Sequence, residues 1–150
     1  MSSLYDFDDK WTGIVEKAYS EDHGALTDHE KIWFNIQCLI EAVNNGGFVD
    51  YYSSSVAETV DDCLHALDVI GAVNSKKLVE RVKNSLFEHG VPKDTKKRNM
   101  EMDHWPASKE AVINDVEIAY FTQEENIEEL LVNFIVEKGI GAESVTGGLQ

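Results

Sequence analysis

The chain's most concentrated chemistry is the run Glu124-Glu125-x-x-Glu128-Glu129, with Glu117 shortly before it. On a helix, 124/128 and 125/129 are i, i+4 neighbours about 5–6 Å apart, and like charges at that spacing repel by a few tenths of a kcal/mol. Two interpretations compete. In the plainer one, Glu124 and Glu125 sit in a first helical turn, where carboxylates complement the helix dipole, and the row is a solvated face. In the sharper one, carboxylates held several ångströms apart imitate a phosphate backbone. Duplex DNA carries one charge per ~1.7 Å of axis, and proteins that bind it gain by releasing counterions. A fixed anionic array can take up the same Arg and Lys side chains through charge-assisted hydrogen bonds.

The other chemically suggestive residues select less. Lys93-x-x-Lys96-Lys97-Arg98 is a basic cluster. It reads as a solubilising loop, or as a grip on an acidic partner or on the acidic face of a second copy in a homodimer. It does not read as a nucleic-acid site, because the field of the whole molecule opposes one. His23, His29, His65, His89 and His104 are scattered, with no zinc-ligand spacing and no H-E-x-x-H. His65 falls inside a helix and reads as a polar neighbour of the core. Asp6-x-Asp8-Asp9 opens like a calcium loop, but Trp11 stands at the glycine position and Lys17 at the terminal glutamate position. No Lys-Ser/Thr follows Gly46-Gly47, and Ser53–Ser55 lacks G-x-S-x-G. Any of the 28 acidic residues could pair for acid–base work, yet no spacing selects a pair. The sequence therefore assigns no catalytic residue, no cofactor and no metal. A small ligand-binding or enzymatic pocket near residues 46–52 stands as an alternative.

The elements that must position these residues are helical almost throughout. Trp11, Ile14, Val15 and Ala18 predict a helix over about 8–20. Thr27-Asp28-His29-Glu30 fits a capping box, and Ile32, Ile36, Leu39, Ile40 and Val43 then form one apolar face. Asn44-Asn45-Gly46-Gly47 predicts the end of that helix. Ser53–Ser55 offers caps for a helix with Val56, Val60, Cys63, Leu64, Leu67 and Ile70 inside, closed by Gly71. Asn74 or Ser75 caps the next, with Leu78, Val79, Val82, Leu86 and Phe87 inside, and Gly90-Val91-Pro92 stops it. Residues 88–108 hold both prolines and little periodicity, and predict an irregular excursion. Val112, Val116, Ala119 and Tyr120 mark a short helix. Ile127, Leu130, Leu131, Phe134 and Ile135 mark a strong one ending at Lys138-Gly139, and residues 141–150 predict a frayed tail. The expected fold is all-α, one domain over 1–150, with about six helices.

Size and charge agree with that frame. A chain of 150 residues is one domain by length and buries enough surface to fold without staples. Against 13 basic residues stand 28 acidic ones, net −15. The net charge is −7 over residues 1–50, +1 over 51–100 and −9 over 101–150. Such a balance argues against direct nucleic-acid binding and against anionic membranes. No apolar stretch approaches the ~20 residues of a spanning helix. The first residues carry no basic and apolar leader, and Cys38 and Cys63 read as small core residues. Together these favour the cytoplasm.

At Glu41-Ala42-Val43-Asn44-Asn45-Gly46-Gly47-Phe48-Val49-Asp50-Tyr51-Tyr52 the sequence resembles the DNA mimic protein 19 family. The pattern is a helix ending in E-V-x-N-G-G-F, an aromatic pair, then a helix closing on I-G-A, here Ile70-Gly71-Ala72. The resemblance runs over about residues 26–138 and takes in Tyr120, Phe121 and the Glu-rich stretch after them. Ala42, Asp50 and Ser53 stand where the pattern has Val, Gln and Asn. Glu41, Asn45, Gly46, Gly47, Phe48, Tyr51, Tyr52 and Gly71 read as structural: glycines for a sharp turn, aromatics to pack the junction. The resemblance implies an all-helical fold. For the described member it also implies a dimeric acidic protein that occupies the DNA-binding surface of a transcription factor. On this view Glu117, Glu124, Glu125, Glu128 and Glu129 form the partner-binding face. The partner is then a basic DNA-binding protein or, alternatively, a basic toxin or nuclease held by an immunity-type inhibitor.

Overall fold

Helix α1 (Asp8–Ser20) forms where the apolar period places it, and buries Ile14 and Ala18. Its aromatic residue Trp11 stacks on Trp33 at 6.2 Å and lies 5.9 Å from Phe34, so α1 is fastened mainly to the helix that follows. That helix, α2 (Asp28–Ser53), starts at the predicted capping box. The Thr27 hydroxyl accepts from the Glu30 N–H at 3.2 Å, and the Glu30 carboxylate accepts from the Thr27 N–H at 2.9 Å. The structure, a computed structural model, describes residues 3–20 and 25–140. The predicted tail 141–150 lies outside them.

Behind α2 come α3 (Val60–Ile70), α4 (Val73–Leu86), α5 (Thr95–Asp103), α6 (Ala107–Thr122) and α7 (Ile127–Lys138). Short 3-10 turns stand at Leu4–Phe7 and Ser55–Thr59. The described residues thus form seven α-helices and no strand, the all-α bundle expected. The long α2 is the central element. It packs against α3 and α7 and also touches α1, α5 and α6. Its buried face continues into α3 through Cys63, Leu64 and Leu67, and into α7 through Leu131 and Ile135. No helix among the described residues is long and apolar enough to cross a membrane.

Four expectations need correction. Gly46-Gly47 does break the regular helix where expected, both residues being non-helical, but the chain does not leave it: helix resumes at once through Phe48–Ser53, and these residues bury Phe48, Tyr51 and Tyr52. Residues 88–108 are not an irregular excursion, since they contain α5 and lead straight into α6. Its sequence is polar around one buried side chain, so no apolar period announces the helix. That side chain is Arg98, and the basic cluster is accordingly not all surface. Arg98 is 0% exposed. Its guanidinium donates to the carbonyls of Tyr52, Pro92 (2.7 Å) and Ser54 (2.5 Å), closing the C-terminal end of α2. Burial pulls its pKa down, against the nearby charge of Glu58. Finally, His65 lies on the exposed side of α3 and not against the core.

Candidate functional site

The kink in α2 sets the first part of the site. Gly46 has φ −147° and Gly47 has φ +76° and ψ −165°, a combination essentially reserved for glycine. The break frees the Phe48 N–H, and a side chain from α6 meets it. The Glu117 Oε2 accepts from Phe48 N at 2.8 Å. A Cβ on Gly47 would stand 2.0 Å from that same oxygen, so the glycine also makes room for the carboxylate. Gly46 is crowded in turn, with a Cβ there 2.8 Å from the Cβ of Asp50. The Phe48 ring meets Tyr120 edge-on at 5.7 Å, and the Tyr52 hydroxyl donates to the Val79 carbonyl at 3.0 Å. Burial raises the pKa of both Tyr51 and Tyr52. Phe48, Tyr51, Tyr52 and Glu117 therefore fill the junction themselves. Glu41 is exposed and accepts from the Gln37 amide at 3.0 Å, and Asn45 is exposed. Gly71 caps α3 in the left-handed region at φ +82°.

The Glu-rich run divides sharply. Glu124 and Glu125 precede α7, whose N-cap is Asn126, so 124/128 and 125/129 are not neighbours along one helix. The Asn126 side chain accepts from the Glu129 N–H at 3.0 Å. Glu125 turns inward to α4. Its two oxygens accept from Asn74 N at 2.9 Å, Ser75 N at 2.8 Å and the Ser75 hydroxyl at 2.6 Å. Gln123 completes the junction, taking the Asn74 amide at 2.5 Å and donating to the Ser75 hydroxyl at 3.0 Å. Helix α4 begins at Val73 with Ala72 at its N-cap, a residue that cannot cap. Glu125 supplies from elsewhere in the chain the acceptor and the negative charge that the helix start requires.

Two of the five predicted partner-binding carboxylates, Glu117 and Glu125, are thus spent on helix starts inside the fold. Glu124, Glu128 and Glu129 are exposed, and their side chains make no hydrogen bond or ion pair with any described residue. Glu124 and Glu128 border an open depression of about 310 Å³ between the α6–α7 turn and α2, with Asn44, Tyr120, Phe121 and Ile127 also in its wall. Phe121 is 57% exposed and Ile118, a turn earlier, 64%. Burial raises the Tyr120 phenol to about 12, with the charges of Glu128 and Glu125 adding to it. No Lys or Arg lines this hollow.

Elsewhere, both cysteines are free thiols, and burial pushes each up to about 12. Among the described residues no three His, Cys, Asp or Glu side chains gather as metal ligands would. Sequence reasoning missed the inward turn of Glu117 and Glu125. The sequence places the cap of this helix at Asn74 or Ser75, but α4 starts at Val73 with both residues inside its first turn, so their N–H groups need an acceptor from another element.

The family comparison decides the lineage. The sequence profile described as DMP19-like protein matches residues 24–138. The chain belongs to the DMP19-like family. Its matched span runs from just before the α2 capping box to the end of α7, so the kink, both borrowed caps and the depression lie inside it, while α1 lies before it. No curated protein matches the chain, and no solved structure does.

Proposed function

We propose that this DMP19-like chain is a non-enzymatic acidic interaction protein that occupies the DNA-binding surface of a basic protein such as a transcription factor. The observation that carries this is the trio Glu124, Glu128 and Glu129: exposed, without a partner among the described residues, and set in a chain of net charge −15. Carboxylates already bonded inside a fold have little left to give a partner. Free ones retain full capacity for bidentate contacts to guanidinium groups. Family membership favours a DNA-binding partner over a basic toxin, although the same electrostatics would serve an inhibitor of either.

Capture from a bacterial lysate tests the proposal, with the protein immobilised at about 50 mM and about 500 mM salt. The expected result is a DNA-binding protein retained at low salt and released by high salt or by excess duplex DNA. The triple reversal Glu124→Lys/Glu128→Lys/Glu129→Lys should cut that retention about tenfold or more, since each close charge pair at such an interface is worth about 1.5 kcal/mol or more. Retention unchanged by the triple reversal, or untouched by duplex DNA, would refute mimicry.

A further inference from the structure

The depression beside Glu124 and Glu128 carries more than negative charge. Tyr120 is only 7% exposed, yet its hydroxyl makes no hydrogen bond with any described residue. The oxygen itself is not shut away from water, so it is a solvent-facing polar position that a ligand can take over from water. The hollow it lines is open to solvent. Next to it the Phe121 ring is exposed, meeting Tyr120 edge-on at 5.1 Å and leaving its own surface to solvent. Glu124 and Glu128 supply two carboxylates in the same wall, neither paired with any described residue. A planar aromatic surface, two carboxylates and a solvent-facing hydroxyl around one hollow match one side chain above others. Guanidinium is flat, stacks on aromatic rings and offers five N–H donors in a fixed fork. Ammonium is a compact, strongly hydrated point charge that gains less from a ring.

We infer that the Tyr120–Phe121–Glu124–Glu128 depression is a socket for an arginine side chain of the partner protein. The inference rests on the proposed function and sharpens it, since a partner is then chosen by a placed arginine and not by positive charge alone. A second copy of the chain is a poor source for that arginine. The chain has two, of which Arg98 is buried and Arg81 sits in a surface pair with Asp115 at 3.5 Å, and two copies of net charge −15 repel each other. An outside protein is the occupant the charges favour.

The test uses octa-arginine and octa-lysine peptides of equal charge, titrated calorimetrically into the full chain at one ionic strength. Octa-arginine should bind about two- to fivefold more tightly than octa-lysine, the range expected of an exposed cation–π contact. Phe121→Ala removes no charge and alters a side chain that is mostly in solvent. It should bring the two affinities together while leaving octa-lysine binding as it was, and Tyr120→Phe should weaken octa-arginine binding more than octa-lysine binding. Glu124→Gln/Glu128→Gln should weaken both peptides. Equal affinities for the unaltered protein, or an arginine preference that survives Phe121→Ala, would overturn the socket, because any acidic surface could then explain the binding. A change from dimer to monomer on Glu128→Lys, seen by sedimentation, would overturn it as well by assigning the hollow to a second copy. None of these outcomes touches the release of a captured partner by duplex DNA from the unaltered protein, so failure of the socket and failure of mimicry are separately visible.

Discussion

Glu124 and Glu125 are adjacent, identical in type and opposite in use. Glu124 faces solvent without a partner among the described residues, whereas Glu125 holds two backbone N–H groups and a hydroxyl at the start of α4. Removing an acceptor from a helix N-terminus costs about 0.5–2 kcal/mol, and surface changes away from such features stay within about 0.5 kcal/mol. Glu125→Ala should therefore lower the unfolding free energy by about 1–2 kcal/mol in urea titrations followed by circular dichroism. Glu124→Ala should leave the midpoint in place. If both variants unfolded together, Glu125 would not be a cap and would rejoin the exposed acidic surface. A charge-reversal study that included Glu125 would confuse loss of fold with loss of binding, which is why the three outward carboxylates are the proper set. Nothing in the local sequence tells these two glutamates apart. The difference lies in where α4 begins, a tertiary fact about residues fifty positions away.

At the scale of elements, α1 lies outside the family-matched span and is tied to α2 by aromatic packing and by charge. Lys17 reaches Glu30 at 3.2 Å and Lys10 reaches it at 3.8 Å, while Glu30 also closes the α2 capping box. Burial alone would raise the Glu30 pKa. The Thr27 N–H and the two lysines outweigh it and bring the group below its ordinary value of 4.5. A carboxyl with a depressed folded pKa stabilises the fold fully above the unfolded value and loses that contribution as pH falls through the folded one. Thermal unfolding followed from pH 6 downward should show the midpoint falling below about pH 4.5, and Glu30→Gln should flatten that limb. An acid limb unchanged by Glu30→Gln would remove this pairing as its cause. Elements of this kind were legible beforehand: the span of α1, the Thr27–Glu30 box and the Gly139 end of α7 are all local signals, and each stands where its residues predict. What escaped the sequence depends on distant partners. The helix continues past Gly46-Gly47 because Glu117 takes the N–H that the kink exposes. Helix α5 holds its place through Arg98, whose bonds reach the end of α2, and a buried arginine has no periodic signature. For the same reason the candidate site was half legible. Its acidic composition could be read, but which carboxylates look outward could not.

For the whole molecule, the distribution of cations decides how the surplus charge behaves. Lys76 is held by Asp68, Arg81 by Asp115, Lys83 by Asp61 and Lys109 by Glu88, mostly at exposed positions where a pair contributes about 0–1 kcal/mol. Arg98 is buried against carbonyls. Few positive groups remain to offset a net charge of −15, so self-repulsion should exceed the gain from surface pairing at low ionic strength. Added salt shortens the Debye length from about 30 Å at 0.01 M to about 8 Å at 0.15 M and screens the long-range repulsion more than contacts at 3–4 Å. Raising NaCl across that range should increase the melting temperature by about 2–4 °C, equivalent to about 1 kcal/mol for a chain of this size. A melting temperature that fell with salt would mean that ion pairs, not repulsion, dominate. If the protein captures a basic partner as proposed, salt should act with the opposite sign on that capture, since screening weakens attraction between carboxylates and cations across an interface. One titration of ionic strength therefore tests both effects of the charge: the free protein should become more stable over the interval in which the proposed hold on a basic partner declines.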